Sequence, residues 1–252
     1  MAIALIRSIK SANYHIMSSD KDKNKLSKAK NELKIEAASN RDLAKKSNIV
    51  FLCAKPKDIR EILEEIKDLV ENKIIVSIAA GVKISSIEKI IGKNKKIVRV
   101  MPNISCIVGE MAAAYSFNKN ISEEDKTIIH EILNKAGLAI EMEEEKMDSV
   151  TALSGSGPAF VAYLIQNFAE AGEKQGLKKE VAYKLALQTF FGAGKLLKQT
   201  KINPEELIKM VSSPEGTTVA GLKILENSDI KKIIDKTIEA AVKRSKELGK
   251  WI

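Results

Sequence analysis

Ile74-Ile75-Val76-Ser77-Ile78-Ala79-Ala80-Gly81 is a run of β-branched and small residues that ends on glycine. Apolar side chains on successive positions suit a strand covered on both faces, as in parallel sheets. Comparable runs occur at Tyr14–Met17, Asn48–Ala54, Ile97–Met101, Ala112–Phe117 and Leu138–Met142. Segments of helical period, Asp58–Val70, Ser85–Ile91 and Ser122–Ala136, lie between several of them. Buried strands alternating with amphipathic helices predict a parallel, doubly wound α/β sheet. Such sheets bind ligands outside the carboxyl ends of their strands. Three ends therefore stand out: Cys53-Ala54-Lys55-Pro56, Ile78-Ala79-Ala80-Gly81 and Val100-Met101-Pro102-Asn103. Their small residues, proline and glycine let a flat ligand approach the backbone, although an ordinary strand-to-helix turn uses the same residues.

After Glu145 the alternation stops, and helical segments are expected at about 157–174, 179–198, 204–211, 217–227 and 230–248. The division expected is 1–145 for the α/β domain and 146–252 for an all-helical one. Val161, Leu164, Ile165, Phe168 and Ala169 recur at helical spacing, as do Ala182, Leu185, Ala186, Thr189 and Gly192. Alanines and glycines on these seams permit close helix packing. An apolar seam of this extent predicts completion of the bundle by a second subunit.

The chain has 252 residues, 44% hydrophobic and 30% charged, with only 5 prolines, which excludes a disordered or collagenous protein. No apolar run approaches the roughly 18–20 residues of a membrane-spanning helix. Arg7 and Lys10 interrupt the first residues, so no secretory signal is expected and the cytoplasm is the default compartment. Two cysteines, Cys53 and Cys106, are too few for a disulfide framework or a zinc site. Neither His15 nor His130 neighbours a serine or cysteine elbow, which argues against a Ser/His/Asp hydrolase and against a His-ligated metal. The formal charge of +9 is uneven: residues 1–100 carry 22 Lys/Arg against 12 Asp/Glu, and residues 101–252 carry 20 against 21. The dense run from Lys21 to Lys30 suits a solvated helix face or a phosphorylated ligand. With 4% aromatics and no interleaved stacking residues, nucleic acid is not the expected partner.

Two hydroxyl- and glycine-rich stretches precede helices in the second half: Thr151-Ala152-Leu153-Ser154-Gly155-Ser156-Gly157-Pro158-Ala159 and Ser212-Ser213-Pro214-Glu215-Gly216-Thr217-Thr218-Val219. Unpaired amides and the helix dipole favour a small carboxylate at such places. Simple N-capping is the plainer reading of each, and their pairing in one helical domain favours substrate binding.

Taken in order, Phe51–Pro56, Ser77–Gly81, Arg99–Asn103, Ala152–Ala159, Ser213–Leu222 and the closing Ala240–Gly249 resemble the pyrroline-5-carboxylate reductase family along nearly the whole chain. That resemblance implies a Rossmann-like parallel sheet followed by a helical dimerisation domain. It also implies a homodimer or higher homo-oligomer and reduction of 1-pyrroline-5-carboxylate to L-proline with NADPH or NADH. Thr218 is then the catalytic residue, bonded to the imine nitrogen. Gly216 and Thr217, with Ser154, Gly155, Ser156, Gly157 and Ser213, would hold the substrate carboxylate. Ala54, Lys55, Pro56, Ala80, Gly81 and Asn103 would line the nicotinamide side, and Ser19, Asp20, Lys21 and Asn40 the adenosine ribose or its phosphate. Asp20 favours a free ribose hydroxyl and Lys21 a phosphate, which leaves the choice of cofactor open. Hydride transfer to a C=N bond that is itself readily protonated needs no strong enzymic base, in keeping with the missing catalytic histidine. The alternative is a helical dimer that keeps a small-molecule pocket without turnover. A hydroxyacid or prephenate dehydrogenase would need a catalytic Lys or His motif, and Lys174, Lys178, Lys184 and Lys195 lie in none.

Departures from the family pattern also carry expectations. No opening strand with Gly-x-Gly-x-x-Gly is present, and Met1–Ile6 resembles the helix that follows that turn. The start thus reads as late by about 10–12 residues, one strand and its turn, with weakened cofactor binding and stability expected. Glu215 stands where the family usually has glycine, and Ile104-Ser105-Cys106 replaces its usual Thr-Pro-Ala.

Overall fold

In a computed structural model, residues 1–10 and 14–248 are described. Gly249, the last residue of the closing motif, lies outside them. Among the described residues seven strands form: β1 (Met17–Ser18), β2 (Glu36–Ala37), β3 (Ile49–Leu52), β4 (Ile74–Ser77), β5 (Lys96–Met101), β6 (Met111–Phe117) and β7 (Gly137–Glu141). β1 and β2 pair in parallel as a two-stranded sheet, and the other five form a second sheet in the order β3-β4-β5-β6-β7. Around them lie α1 (Ala2–Ile9), α2 (Lys23–Leu33), α3 (Asn40–Lys46), α4 (Pro56–Ile66), α5 (Ile84–Ile91) and α6 (Glu123–Asn134).

Residue alternation explains the two covered faces. Ile74, Val76, Val98 and Val100 enter one apolar cluster with Leu5 of α1 and Ile129 and Leu133 of α6. The intervening Ile75 and Ile97 join Val50 and Leu52 on the other face, against Ile59, Leu63 and Ile66 of α4 and Ile87 of α5. All four residues of β4 are buried, as a central strand with helices on both faces requires.

Two strands correct the expectation of a parallel sheet. β6 runs antiparallel to β5, Val98 facing Phe117 and Met101 facing Ala114, while β7 is parallel to β6. The cause is the link between β5 and β6, which holds only the 3-10 turn Ile104–Val108. A parallel partner needs a crossover of about a dozen residues or more, and this link is too short for one. The β2 strand, two residues long, is an element that the apolar pattern does not announce.

The second half holds α7 (Met147–Val150), α8 (Gly157–Lys174), α9 (Lys179–Thr200), α10 (Pro204–Val211), α11 (Thr217–Glu226) and α12 (Ile230–Leu248). The described chain divides into two compact units, Met1–Pro158 together with the chain from Glu239 onward, and Ala159–Ile238. Within the first unit Ser245 Oγ donates to Asp148 Oδ1 at 2.6 Å, fastening the end of α12 beside α7. In the second unit Phe168 and Phe190 meet edge to face with ring centroids 5.1 Å apart. Many large apolar side chains there face outward, including Tyr163, Phe191, Met210, Ile224 and Ile233. No helix among the described residues is long and apolar enough to cross a membrane.

Candidate functional site

The parallel order β3-β4-β5 places three strand ends side by side along one edge. After β3, Lys55 is extended and Pro56 takes the first position of α4, which its fixed φ suits. After β4, Ile78 continues the ladder to Leu52, and Gly81 turns the chain at φ 77°, a conformation that strains other residues. After β5, the buried Asn103 accepts the Ala112 amide on Oδ1 at 3.1 Å and ties down the short link to β6. Ala54, Lys55, Pro56, Ala80, Gly81 and Asn103 thus come to a common edge, with small side chains and a glycine turn that leave the backbone approachable. These are the features a flat nicotinamide ring requires.

Ser19, Asp20 and Lys21 follow the carboxyl end of β1. Lys21 Nζ reaches Asp58 Oδ1 on the first turn of α4 at 3.1 Å, bringing this loop to the same edge. Asn40 opens α3 and donates through Nδ2 to Glu65 Oε2 at 2.7 Å, so its amide is engaged toward α4. Burial pushes the Cys53 thiol up to about 12 and raises that of Cys106, which makes both poor nucleophiles near neutral pH.

The stretch around Ser154 is not the loop expected before α8. Thr151–Gly155 is a π-helical turn continuous with α7, closed by the Ser156 amide bonding Thr151 O at 2.9 Å. Ser154 Oγ donates to Val150 O at 3.0 Å and Thr151 Oγ1 to Met147 O at 2.8 Å. These back-bonds favour a wound turn over an open loop. A Cβ added at Gly155 would come within 2.8 Å of Met101 Cε, so this glycine lets the turn close on the end of β5. Gly155 thereby sits by the end of β5, with Ser154, Ser156 and Gly157 on and just after the same turn. The turn already uses part of the hydrogen-bonding capacity expected for a ligand.

In the other unit, Ser213-Pro214-Glu215-Gly216 forms a tight turn in which the Gly216 amide donates to Ser213 O at 3.0 Å. Glu215 has φ 58°, a left-handed conformation ordinarily given to glycine. A Cβ on Gly216 would meet Ser213 Oγ, so a larger residue there would require the serine side chain to turn away. Gly216 caps α11 without any side-chain bond, which leaves the first amides of the helix, starting at Thr217, without a side-chain acceptor. Thr218 follows, half-buried. Ser212 is a residue that sequence reasoning passed over: its Oγ is buried with no partner among the described residues. The paired serines ahead of Pro214 were the available signal.

A cavity of about 1020 Å³ lies elsewhere, at the ends of β6 and β7, lined in part by Phe117, Asn118, Lys126, Glu141, Glu143 and Leu153. It contains none of the residues at the strand-end edge.

The family model for pyrroline-5-carboxylate reductase dimerisation matches residues 144–248. A second, described as NADP oxidoreductase coenzyme F420-dependent, matches residues 1–81. The pyrroline-5-carboxylate reductase of Aquifex aeolicus is 43% identical over 248 residues, covering 98% of this chain and 92% of its own. The chain belongs to the pyrroline-5-carboxylate reductase family. A solved pyrroline-5-carboxylate reductase from Coxiella burnetii has a TM-score of 0.94 at 32% identity, with 98% of this chain and 94% of that one covered. Another, from Plasmodium falciparum with NADP bound, has a TM-score of 0.85 at 34% identity and coverages of 98% and 93%. Pyrroline-5-carboxylate reductases thus match this chain through both the Rossmann-like sheet and the helical part.

Proposed function

We propose that this chain reduces 1-pyrroline-5-carboxylate to L-proline with NADPH or NADH, as a homodimer in the cytoplasm without nucleic acid. The observation that carries the reading is the likeness to reductases along 98% of the chain, sheet and helices together. The functional division proposed is a cofactor half, 1–145, and a substrate and dimerisation half, 146–252.

The cofactor, when bound, supplies the hydride. Ala54, Lys55, Pro56, Ala80, Gly81 and Asn103 would hold its nicotinamide end, and Ser19, Asp20, Lys21 and Asn40 its adenosine ribose. The substrate carboxylate has two candidate holders, each within its own unit: the amides of Gly216 and Thr217 with Ser213, and the Ser154–Gly157 turn. Open amides at a helix start suit an anion. The Thr218 hydroxyl bonds the ring nitrogen. The hydride would go to the imine carbon, with the C=N electron pair moving to a nitrogen that keeps or takes a proton beside the Thr218 hydroxyl. Orientation supplies most of what such a step needs, because the imine is readily protonated in water. Exposed apolar side chains on the helical part, such as Phe191 at 58% and Ile224 at 73%, provide a face for a second copy.

The test is consumption of NAD(P)H by the purified chain in the presence of 1-pyrroline-5-carboxylate, with L-proline identified as product. Cofactor binding without turnover of the imine would overturn the reading and favour a non-catalytic dimer.

A further inference from the structure

Ser212 follows α10 in an extended conformation, φ −104° and ψ 91°, with its amide bonded to Lys209 O at 3.3 Å. Its hydroxyl oxygen is the one buried side-chain polar atom among the described residues that has no partner. Leaving a buried hydroxyl unpaired is costly, so its presence calls for a use. Elsewhere in this chain a short polar side chain ahead of a turn bonds the amide three positions on. Ser39 Oγ accepts from the Asp42 amide at 3.1 Å, Ser122 Oγ from Asp125 at 3.2 Å and Asn203 Oδ1 from Glu206 at 2.9 Å. For Ser212 that amide belongs to Glu215, and it donates to no acceptor among the described residues. Glu215 is left-handed at φ 58°, and the Gly216 amide closes the turn on Ser213 O at 3.0 Å, a form in which the Ser212–Glu215 bond is not made.

We infer that Ser212 is a positioning residue for the reduction: its hydroxyl accepts the Glu215 amide when the Gly216 amide leaves Ser213 O for the substrate carboxylate. The inference rests on the carboxylate holder proposed above at Gly216, Thr217 and Ser213. A backbone amide has one hydrogen to donate, and that of Gly216 is spent on closing the turn. Passing it to the carboxylate removes the turn's own bond. The bond from the Glu215 amide to Ser212 Oγ replaces it, at the spacing at which a serine hydroxyl bonds the backbone. An unpaired hydroxyl and an unpaired amide are thus satisfied together as the anion arrives, which favours the bound form of the turn over the free one. Ser212 acts through the turn and touches no reacting atom.

The test is steady-state kinetics, urea unfolding and backbone-amide hydrogen exchange on the full chain and on Ser212→Ala, with L-proline as the ligand in the exchange measurement. Ser212→Ala removes the acceptor together with the unpaired hydroxyl. Its urea midpoint should stay level or rise, while KM for 1-pyrroline-5-carboxylate rises about three- to tenfold, the loss of one hydrogen bond. The kcat and the cofactor Kd should change little. Saturating L-proline should slow exchange of the Glu215 amide in the unaltered chain and leave it unchanged in Ser212→Ala. Ser212→Thr keeps the hydroxyl and should recover most of the KM. An unchanged KM in Ser212→Ala, equal slowing of the Glu215 amide in both proteins, or a lowered urea midpoint with no effect of L-proline on that amide would overturn the role of Ser212 and leave the reductase reading standing. Absence of proline formation by the unaltered chain would remove that reading itself.

Discussion

Replacing Glu144 by alanine should destabilise the sheet-bearing unit more than any exposed charge change. Glu144 Oε1 accepts from Arg99 Nη1 at 3.1 Å and from the Ile84 amide, the first of α5, at 2.8 Å. Arg99 is only 4% exposed, in the middle of β5. Glu144→Ala thus leaves a buried guanidinium uncompensated, an effect of about 3–5 kcal/mol for fully buried pairs. It also frees a helix-start amide, worth roughly 1 kcal/mol or more where water is excluded. Glu144 retains 24% side-chain exposure, which lets water reach the site and places the expected loss near the lower limit, ~3 kcal/mol. For a protein of this size that is a fall in Tm of about 6–12 °C. Glu144→Gln keeps an acceptor and should lose roughly half as much. Urea unfolding of Glu144→Ala, Arg99→Met and the double variant measures the coupling, and the double variant should be more stable than the sum of the singles implies. Additive singles, or a shift below about 2 °C for Glu144→Ala, would refute the account. Because Glu144 opens the 3-10 turn leading into α7 and the π turn, the variant should also raise KM for the imine more than Kd for the cofactor.

Three further outcomes are expected. Glu215→Gly relieves a left-handed residue by about 1 kcal/mol but adds comparable chain entropy to the unfolded state. Stability should therefore barely move, while KM for the imine falls about twofold as a like charge several ångströms from the proposed carboxylate site is removed, readable in steady-state kinetics. Partial burial raises the Asp125 carboxyl, but hydrogen bonds from Lys96 and Ser122 outweigh it and hold it below the usual carboxylate range. Its contribution is present above the unfolded value of ~3.9 and lost as pH falls through the lower folded value, so the Tm difference between the wild type and Asp125→Asn should hold above about pH 5 and shrink under stronger acid. The Cys53 thiol, raised to about 12, should resist an aromatic disulfide reagent until urea unfolds the chain.

The strands were legible where both faces are covered. Ile74–Ser77 reads as a buried strand because every position is apolar or small, and the structure buries all four. Periodicity carries no chain direction, and so the apolar pattern of Ala112–Phe117 could not reveal that β6 is reversed. The short link that reverses it was visible, and its length is the deciding quantity. The π turn at Thr151–Gly155 escaped for a different reason. Serine and glycine favour loops when their hydroxyls compete with the helix, yet here the hydroxyls donate back to carbonyls of the same helical run.

At the site, the sequence displays residue types and the fold supplies their partners. Lys21 and Asp58 are 37 positions apart, and only the meeting of the β1 loop with α4 turns that lysine from a phosphate ligand into half of an ion pair. Arg99 and Glu144, 45 positions apart, likewise read as two unremarkable charges until β5 buries one of them. A lysine-rich segment therefore does not by itself argue for NADPH. Specificity depends on which amides and cations remain unclaimed after folding, and at the end of β1 the carboxylates of Asp20 and Asp22 take the amides of Asp22, Asn24 and Lys25.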